Sequence, residues 1–193
     1  MSVRRDDLDK FFEYSVHVPT RTIYMGTIAN PNGTEDGTDF SMAEYFIKGI
    51  HLLSSVEGDI KIIMNNPGGD ECHGMAIYDA IAQCKNHVTI IATGYAMSMG
   101  SIILQAADER VLTSHASLMI HYGVISVEDH PHNVNRWVAE SKRFDIFMED
   151  LYLAKIREKH PKYKRSQLKA LMQFDKFFTP EEAVKLGLAD KIG

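Results

Sequence analysis

The segment of residues 88–107 constrains the fold of this chain more than any other, because its twenty residues carry no formal charge. A run of this length could span a membrane as a helix. However, its first half is rich in β-branched residues, and Gly94, Ser98 and Gly100 interrupt its apolar character. We therefore predict a buried strand, a sharp turn and a helix that begins at Ser98, with a membrane span as the alternative interpretation.

The same succession of strand and helix recurs along the chain. Strands are predicted over residues 22–28, 59–64, 88–93, 110–113 and 117–121, a loop over residues 29–39, and helices over residues 41–55, 74–84, 98–107, 132–159, 166–173 and 180–186. Alternating strands and helices are typical of a parallel α/β sheet with crossover helices. We assign residues 1–20 to an N-terminal arm and residues 21–193 to a single domain.

Two of the predicted helices carry a distinct apolar stripe. In the helix over residues 41–55 the stripe comprises Met42, Tyr45, Phe46, Ile50 and Leu53. The helix over residues 132–159 is longer than one sheet layer requires, and its stripe comprises Val134, Trp137, Val138, Phe144, Phe147, Met148, Leu151, Tyr152 and Ile156. The long stripe is compatible with a subunit interface and equally with packing on its own domain.

The composition excludes several classes of protein. A net charge of −5 gives no general reason to expect nucleic-acid binding. The two cysteines, Cys72 and Cys84, form neither a disulfide framework nor a CxxC motif, so we expect reduced thiols in a cytoplasmic protein. The charged first seven residues lack the apolar segment of a secretory signal.

Ser98 is the strongest candidate for a catalytic residue. At a helix start its hydroxyl lies beside free N–H groups and the positive end of the macrodipole, which stabilise nearby negative charge. A serine nucleophile needs such surroundings when an acyl oxygen becomes an oxyanion. Serine also begins many helices as a simple cap, and from the residues alone this alternative stays open.

A serine nucleophile requires a base and a carboxylate that orients the base. His121 ends a predicted apolar strand. It therefore lies at the carboxyl edge of the sheet, where binding and catalytic sites of open α/β folds are found. Asp175 lies between Phe174 and Phe177, where a buried carboxylate would need a partner such as a histidine. The alternatives are a strand-end histidine without a role and an aspartate that caps the following segment.

Main-chain N–H groups could stabilise the oxyanion. The glycine pair Gly68-Gly69 lets the backbone approach a substrate closely, and the N–H of Met99 directly follows the candidate nucleophile. Position 96 is Ala, so the segment lacks the G-x-S-x-G turn of the α/β-hydrolases.

Two further groups of residues are weaker candidates. Cys72 beside His73 could supply a thiol nucleophile, and His130 with His132 could bind a metal. No other residue pattern supports the thiol, and the histidine pair lacks a nearby Cys or Glu-x-x-His. We therefore predict neither a metal nor a cofactor.

Five motifs, in this order, resemble those of the proteolytic subunits of the Clp protease family. They are Asn65-Asn66-Pro67-Gly68-Gly69, residues 74–79, residues 94–100, Met119-Ile120-His121 and residues 175–190. The resemblance implies a ClpP/crotonase-type α/β superhelix of strand–helix units with a protruding handle helix over residues 132–159. It also implies that Ser98 is the nucleophile, His121 the base and Asp175 its orienting residue, with Gly69 and Met99 as oxyanion donors.

The resemblance further implies a homo-oligomer of stacked heptameric rings, in which unfolded polypeptides arrive from a Clp-type ATPase. Three segments depart from the family pattern. After His121 the family has Gln-Pro and a glycine pair, whereas this chain has Tyr122-Gly123-Val124-Ile125-Ser126. The interval from His121 to Asp175 is longer, and the N-terminal arm lacks the usual apolar sequence.

These features favour a serine-type endopeptidase that cleaves unfolded polypeptides inside a ring chamber. We expect it to bind neither nucleic acid nor a membrane. Two alternatives remain, a crotonase-type acyl-CoA enzyme and a catalytically silent ring subunit. A serine–lysine peptidase fits less well, because His121 and Asp175 suit a triad.

Overall fold

The computed structural model describes residues 11–26 and 37–193. Within these residues the strands are β1 (Val16–His17), β2 (Thr22–Gly26), β3 (Ile60–Asn66), β4 (Val88–Met97), β5 (Glu109–Leu112), β6 (Ser117–Ile120), β7 (Lys176–Phe178) and β8 (Lys191–Ile192). The helices are α1 (Phe40–Ser54), α2 (Glu71–Ala82), α3 (Met99–Leu104), α4 (Pro131–Lys159), α5 (Arg165–Met172) and α6 (Pro180–Leu186). Residues 1–10 of the predicted arm, residues 27–28 of the strand predicted over residues 22–28 and residues 29–36 of the predicted loop lie outside the described residues.

The strands form one sheet in the order β1-β2-β3-β4-β5-β8, with β6 beside the end of β4 and β7 beside β6. Strands β2, β3, β4, β5 and β8 are parallel, whereas β1 and β7 run antiparallel to their neighbours. The predicted mixed α/β class with a largely parallel sheet is confirmed. The short strands β1, β7 and β8 were not predicted, because two or three residues carry no readable periodicity.

Strand β4 changes partner along its length, and this change creates the edge at which the candidate site lies. Residues 89–92 pair with β5, whereas residues 95–97 pair with β6. The prediction that the strand ends at residue 93 is wrong, because the chain continues extended through Gly94 to Met97. At Gly94 a Cβ atom would lie 2.5 Å from Oδ1 of Asn65, so the side chain of Asn65 in β3 lies directly against this position.

The uncharged segment of residues 88–107 is thus a strand followed by a six-residue helix. The predicted helix to residue 107 is too long, since α3 ends at Leu104. Among residues 11–26 and 37–193, no helix has the length and apolar character needed to cross a membrane.

Helix boundaries follow their caps. Helix α2 begins at Glu71, three residues before the predicted start, because Oδ1 of Asp70 accepts the N–H of His73. In α1 the predicted apolar face is wrong at Tyr45, which is 50% exposed and lies against the ring of Tyr14.

Helix α4 has two different halves over its 29 residues. In the second half Met148, Tyr152 and Ile156 are buried against the core. In the first half Trp137 and Val138 are exposed. Packing on its own domain, one of the two alternatives left open by the sequence, therefore explains the second half of the stripe.

Candidate active site

Ser98 connects the end of β4 to the start of α3 in an unusual backbone conformation. Its φ is +50° and its ψ is −122°, and a positive φ is rare for a residue other than glycine. The N–H of Ser98 donates to the carbonyl of Met119 in β6 at 2.9 Å. Within the described residues the hydroxyl makes no capping hydrogen bond to α3, so the alternative of a simple helix cap is wrong. The hydroxyl instead lies within hydrogen-bonding distance of His121.

Ser98, His121 and Asp175 lie together although they are far apart in the sequence. The Nε2 atom of His121 is 2.8 Å from Oγ of Ser98, and its Nδ1 atom is 2.8 Å from Oδ1 of Asp175. With Nδ1 protonated, His121 donates to the carboxylate and accepts from the hydroxyl. This is the arrangement in which a histidine can take the proton of a serine.

Strand pairing brings these three residues together. Met97 of β4 pairs with Met119 of β6, which places the end of β4 beside the end of β6. Strand β7 runs antiparallel to β6, and Ile120 pairs with Lys176. The residues that follow Met97, follow Ile120 and precede Lys176 therefore meet at one corner of the sheet.

Asp175 does not lie in the aromatic cluster that the sequence suggested. Its side chain is 57% exposed, and its neighbours Phe174 and Phe177 are exposed too. The prediction of a buried carboxylate was wrong, because the segment between α5 and β7 lies on the surface. The histidine partner is nevertheless present, as described above.

The glycine pair lies directly against Ser98. Gly68 and Gly69 have φ values of +114° and +139°, which favour glycine. The N–H of Thr38 donates to the carbonyl of Gly68, and the N–H of Asp70 donates to the carbonyl of Thr38. Within the described residues the N–H of Gly69 has no acceptor, and the N–H of Met99, in the first turn of α3, has none either.

Asn66 is a residue of this site that sequence reasoning missed. It is fully buried, its Oδ1 accepts the N–H of Gly68 at 2.8 Å, and its Nδ2 donates to Oγ1 of Thr38 at 2.9 Å. These hydrogen bonds fix the conformation of the turn that contains Gly68 and Gly69. The signal was an asparagine directly before Pro-Gly-Gly, since asparagine side chains commonly bond the backbone two residues on.

The side chain of Glu71 lies beside the segment after His121. Burial and the neighbouring charges of Asp145 and Asp70 raise the pKa of Glu71, whose Oε1 lies 3.5 Å from where a Cβ of Gly123 would be. Residues 121–130, all of them described, form neither helix nor strand. This is the segment in which the sequence departs from the family pattern.

The weaker candidates do not join the site. The ring of His73 packs against Phe40, with centroids 5.9 Å apart. His130 and His132 stack on each other, 5.4 Å between centroids, at the start of α4. In the part of the chain that the structure describes, no three His, Cys, Asp or Glu side chains are grouped so that they could hold a metal ion.

Comparison with known proteins points in the same direction as the geometry. The family model for Clp protease matches residues 34–193. The ATP-dependent Clp protease proteolytic subunit of Deinococcus radiodurans is 31% identical over 183 residues, which cover 93% of this chain and 83% of that protein.

Proposed function

The chain belongs to the Clp protease family, and on this premise we propose a serine-type endopeptidase with Ser98 as nucleophile, His121 as base and Asp175 as its orienting residue. One observation carries the proposal, namely the continuous hydrogen-bonded series from Ser98 Oγ through both ring nitrogens of His121 to Asp175. An acyl-CoA enzyme with only an oxyanion site would have no use for this series.

In the acylation step Oγ of Ser98 attacks the carbonyl carbon of the scissile peptide bond. Nε2 of His121 takes the hydroxyl proton, and the resulting imidazolium is stabilised by the carboxylate of Asp175. The carbonyl oxygen becomes an oxyanion, for which the N–H groups of Gly69 and Met99 are the donors. His121 then returns the proton to the leaving amine as the C–N bond breaks, which leaves an acyl-enzyme.

In the deacylation step water takes the place of the amine. His121 accepts a proton from the water as its oxygen attacks the acyl carbon. The same two N–H groups stabilise the second oxyanion. When the ester bond breaks, His121 returns the proton to Oγ of Ser98, and the peptide leaves as a carboxylic acid that loses its remaining proton to solvent.

The assembly is part of the same proposal. Helix α4 presents three exposed apolar side chains, those of Trp137, Val138 and Phe147, which fit a handle helix between stacked, heptameric rings. The relative is named as a subunit of an ATP-dependent protease. By the same reasoning we propose a superhelical ring subunit that receives unfolded polypeptides from a Clp-type ATPase in the cytoplasm.

The proposal is tested with a fluorophosphonate probe followed by intact-mass measurement. Wild-type protein should gain one adduct, and the Ser98→Ala variant none. Ser114→Ala is the matched control, because the exposed Ser114 also lies 3.2 Å from a histidine nitrogen, that of His115. This control should label like wild type.

The other outcomes distinguish the alternatives. Rings that form without any adduct would indicate a silent subunit. An increase in melting temperature with CoA thioesters, again without an adduct, would indicate an acyl-CoA enzyme.

A further inference from the structure

Asp175 has little local support for its alignment with His121. Among the described residues its carboxylate makes one hydrogen bond, the 2.8 Å bond to Nδ1 of His121, and more than half of its side chain is exposed. Phe174 beside it is exposed as well. The main chain on either side must therefore determine where this carboxylate lies.

Two main-chain contacts lie on either side of the pair formed by His121 and Asp175. Ile120, which precedes His121, pairs with Lys176, which follows Asp175. Tyr122, which follows His121, donates its N–H to the carbonyl of Met172 at the end of α5, at 2.9 Å. The first contact belongs to the sheet, whereas the second begins a segment without regular structure.

The side chain of Tyr122 is in turn hydrogen-bonded to a buried carboxylate. The hydroxyl of Tyr122 donates to Oε1 of Glu149 in α4 at 2.5 Å. Glu149 is 2% exposed, and its Oε2 accepts from Nη1 of Arg165, the first residue of α5, at 2.7 Å. Lys169, one turn further along α5, places its Nζ 3.6 Å from Oε1 of Glu149.

These contacts link Tyr122 to Glu149 and Glu149 to Arg165 at the start of α5. The end of α5, at Met172, is in turn bonded to the N–H of Tyr122. Burial by itself would raise the pKa of Glu149, but the bonds from Tyr122 and Arg165 and the charge of Lys169 outweigh it and lower the pKa. The group is therefore a carboxylate at neutral pH. An ionised acceptor makes a stronger hydrogen bond than a neutral one.

We infer that Glu149 is a positioning residue. Through Tyr122 and Arg165 it fixes the relative position of the two segments that carry His121 and Asp175. This inference rests on the proposed function, because that relative position matters for catalysis only if His121 takes the proton of Ser98. Glu149 touches neither substrate nor the reacting atoms in this scheme. Its effect reaches them through Tyr122 on one side and α5 on the other.

The test compares Tyr122→Phe, Glu149→Gln and the double variant with wild type. Tyr122→Phe keeps the ring and removes the hydroxyl alone, so it stays informative if Glu149→Gln folds poorly. The readouts are the fluorophosphonate labelling rate of Ser98, kcat and KM for a fluorogenic peptide, and the melting temperature. Glu158→Gln is the matched control, because that glutamate also lies on α4, its side chain is exposed and its partner is Lys155.

Tyr122→Phe should lower kcat and the labelling rate about tenfold, because a small displacement of His121 from Oγ of Ser98 weakens the proton transfer. KM and the melting temperature should stay near wild type. The double variant should lose less than the product of the two single losses, since both changes act through one contact. Glu158→Gln should match wild type.

Other results separate the two proposals. Wild-type kcat in both single variants, with an active wild type, would overturn the inference and leave the proposed function intact. Parallel losses of kcat and melting temperature would mean a structural role, which also overturns it. Absence of labelling in wild type would refute the proposed function and the inference with it.

Discussion

A Cβ atom on Gly68 would lie 2.6 Å from the Cβ of Ser98 and 3.1 Å from its Oγ. The glycine turn and the strained serine thus fit together without room for a single additional methyl group. The same turn carries Gly69, whose N–H is a candidate oxyanion donor. The hydroxyl of Ser98 and this donor are therefore placed by one contact.

Gly68→Ala should lower kcat by about a hundredfold, because either Ser98 or the donor of Gly69 must move, and losing one oxyanion donor costs about 10²–10³ in rate. Peptide turnover with the melting temperature checks this. Gly26→Ala is the control, since a Cβ there would meet no atom of the described residues within 4 Å. Equal activity of Gly68→Ala and wild type would show that the turn does not form part of the site.

Asn66→Ala should lower kcat by at least about tenfold and destabilise the fold by about 2 kcal/mol, because the buried N–H of Gly68 loses its acceptor. Urea unfolding and steady-state kinetics measure the two effects. Asn65→Ala changes the exposed neighbour, whose Oδ1 accepts the N–H of Tyr95 instead. A larger kinetic loss in Asn65→Ala than in Asn66→Ala would contradict the assignment.

Asp175→Asn should reduce kcat by about a hundredfold or more with little change in KM, because an amide no longer stabilises the imidazolium or selects its tautomer. Steady-state peptide hydrolysis gives both constants. Asp79→Asn replaces an exposed aspartate on α2 and should behave like wild type. Full activity of Asp175→Asn would remove this residue from the triad.

Asp190→Asn should destabilise the protein by about 2 kcal/mol at neutral pH, because Arg110, whose side chain is 3% exposed, would lose its carboxylate partner. Chemical unfolding measures the difference. Glu109→Gln, which breaks the exposed pair with Lys191 on the same strands, should cost less than about 1 kcal/mol.

The cost of Asp190→Asn should also depend on pH. Burial alone would raise the pKa of Asp190, but hydrogen bonds from the side chain and N–H of Arg110 outweigh it and lower the pKa. A lowered pKa stabilises the folded state above the pKa of the unfolded chain, about 4, and this contribution disappears as pH falls through the folded-state value. Wild type and variant should therefore converge below about pH 4, and a gap that widens there would contradict the assignment.

Much of the fold could be read from local patterns. Alternating strand and helix signals identified a largely parallel α/β sheet, and the helix predicted over residues 180–186 coincides with α6, in which Pro180 is the first residue. Strand and helix ends were less accurate, as at Gly94, where β4 continues beyond its predicted end because residues 95–97 pair with β6. Tyr45 satisfied the helical spacing yet lies at the surface, since periodicity does not show which neighbours cover a face.

The sequence by itself determined which residue types were available at the ends of strands: a serine before a helix, a histidine after an apolar strand and a glycine pair in a turn. It could not determine that His121 lies against Ser98, 23 residues away, and against Asp175, 54 residues away. Those distances depend on β4 exchanging β5 for β6 and on β7 pairing with β6, which are contacts between remote segments. Local propensity carries no information about such pairing, so the tertiary structure alone decided the exposure of Asp175, the strain at Ser98 and the link from Tyr122 to Glu149.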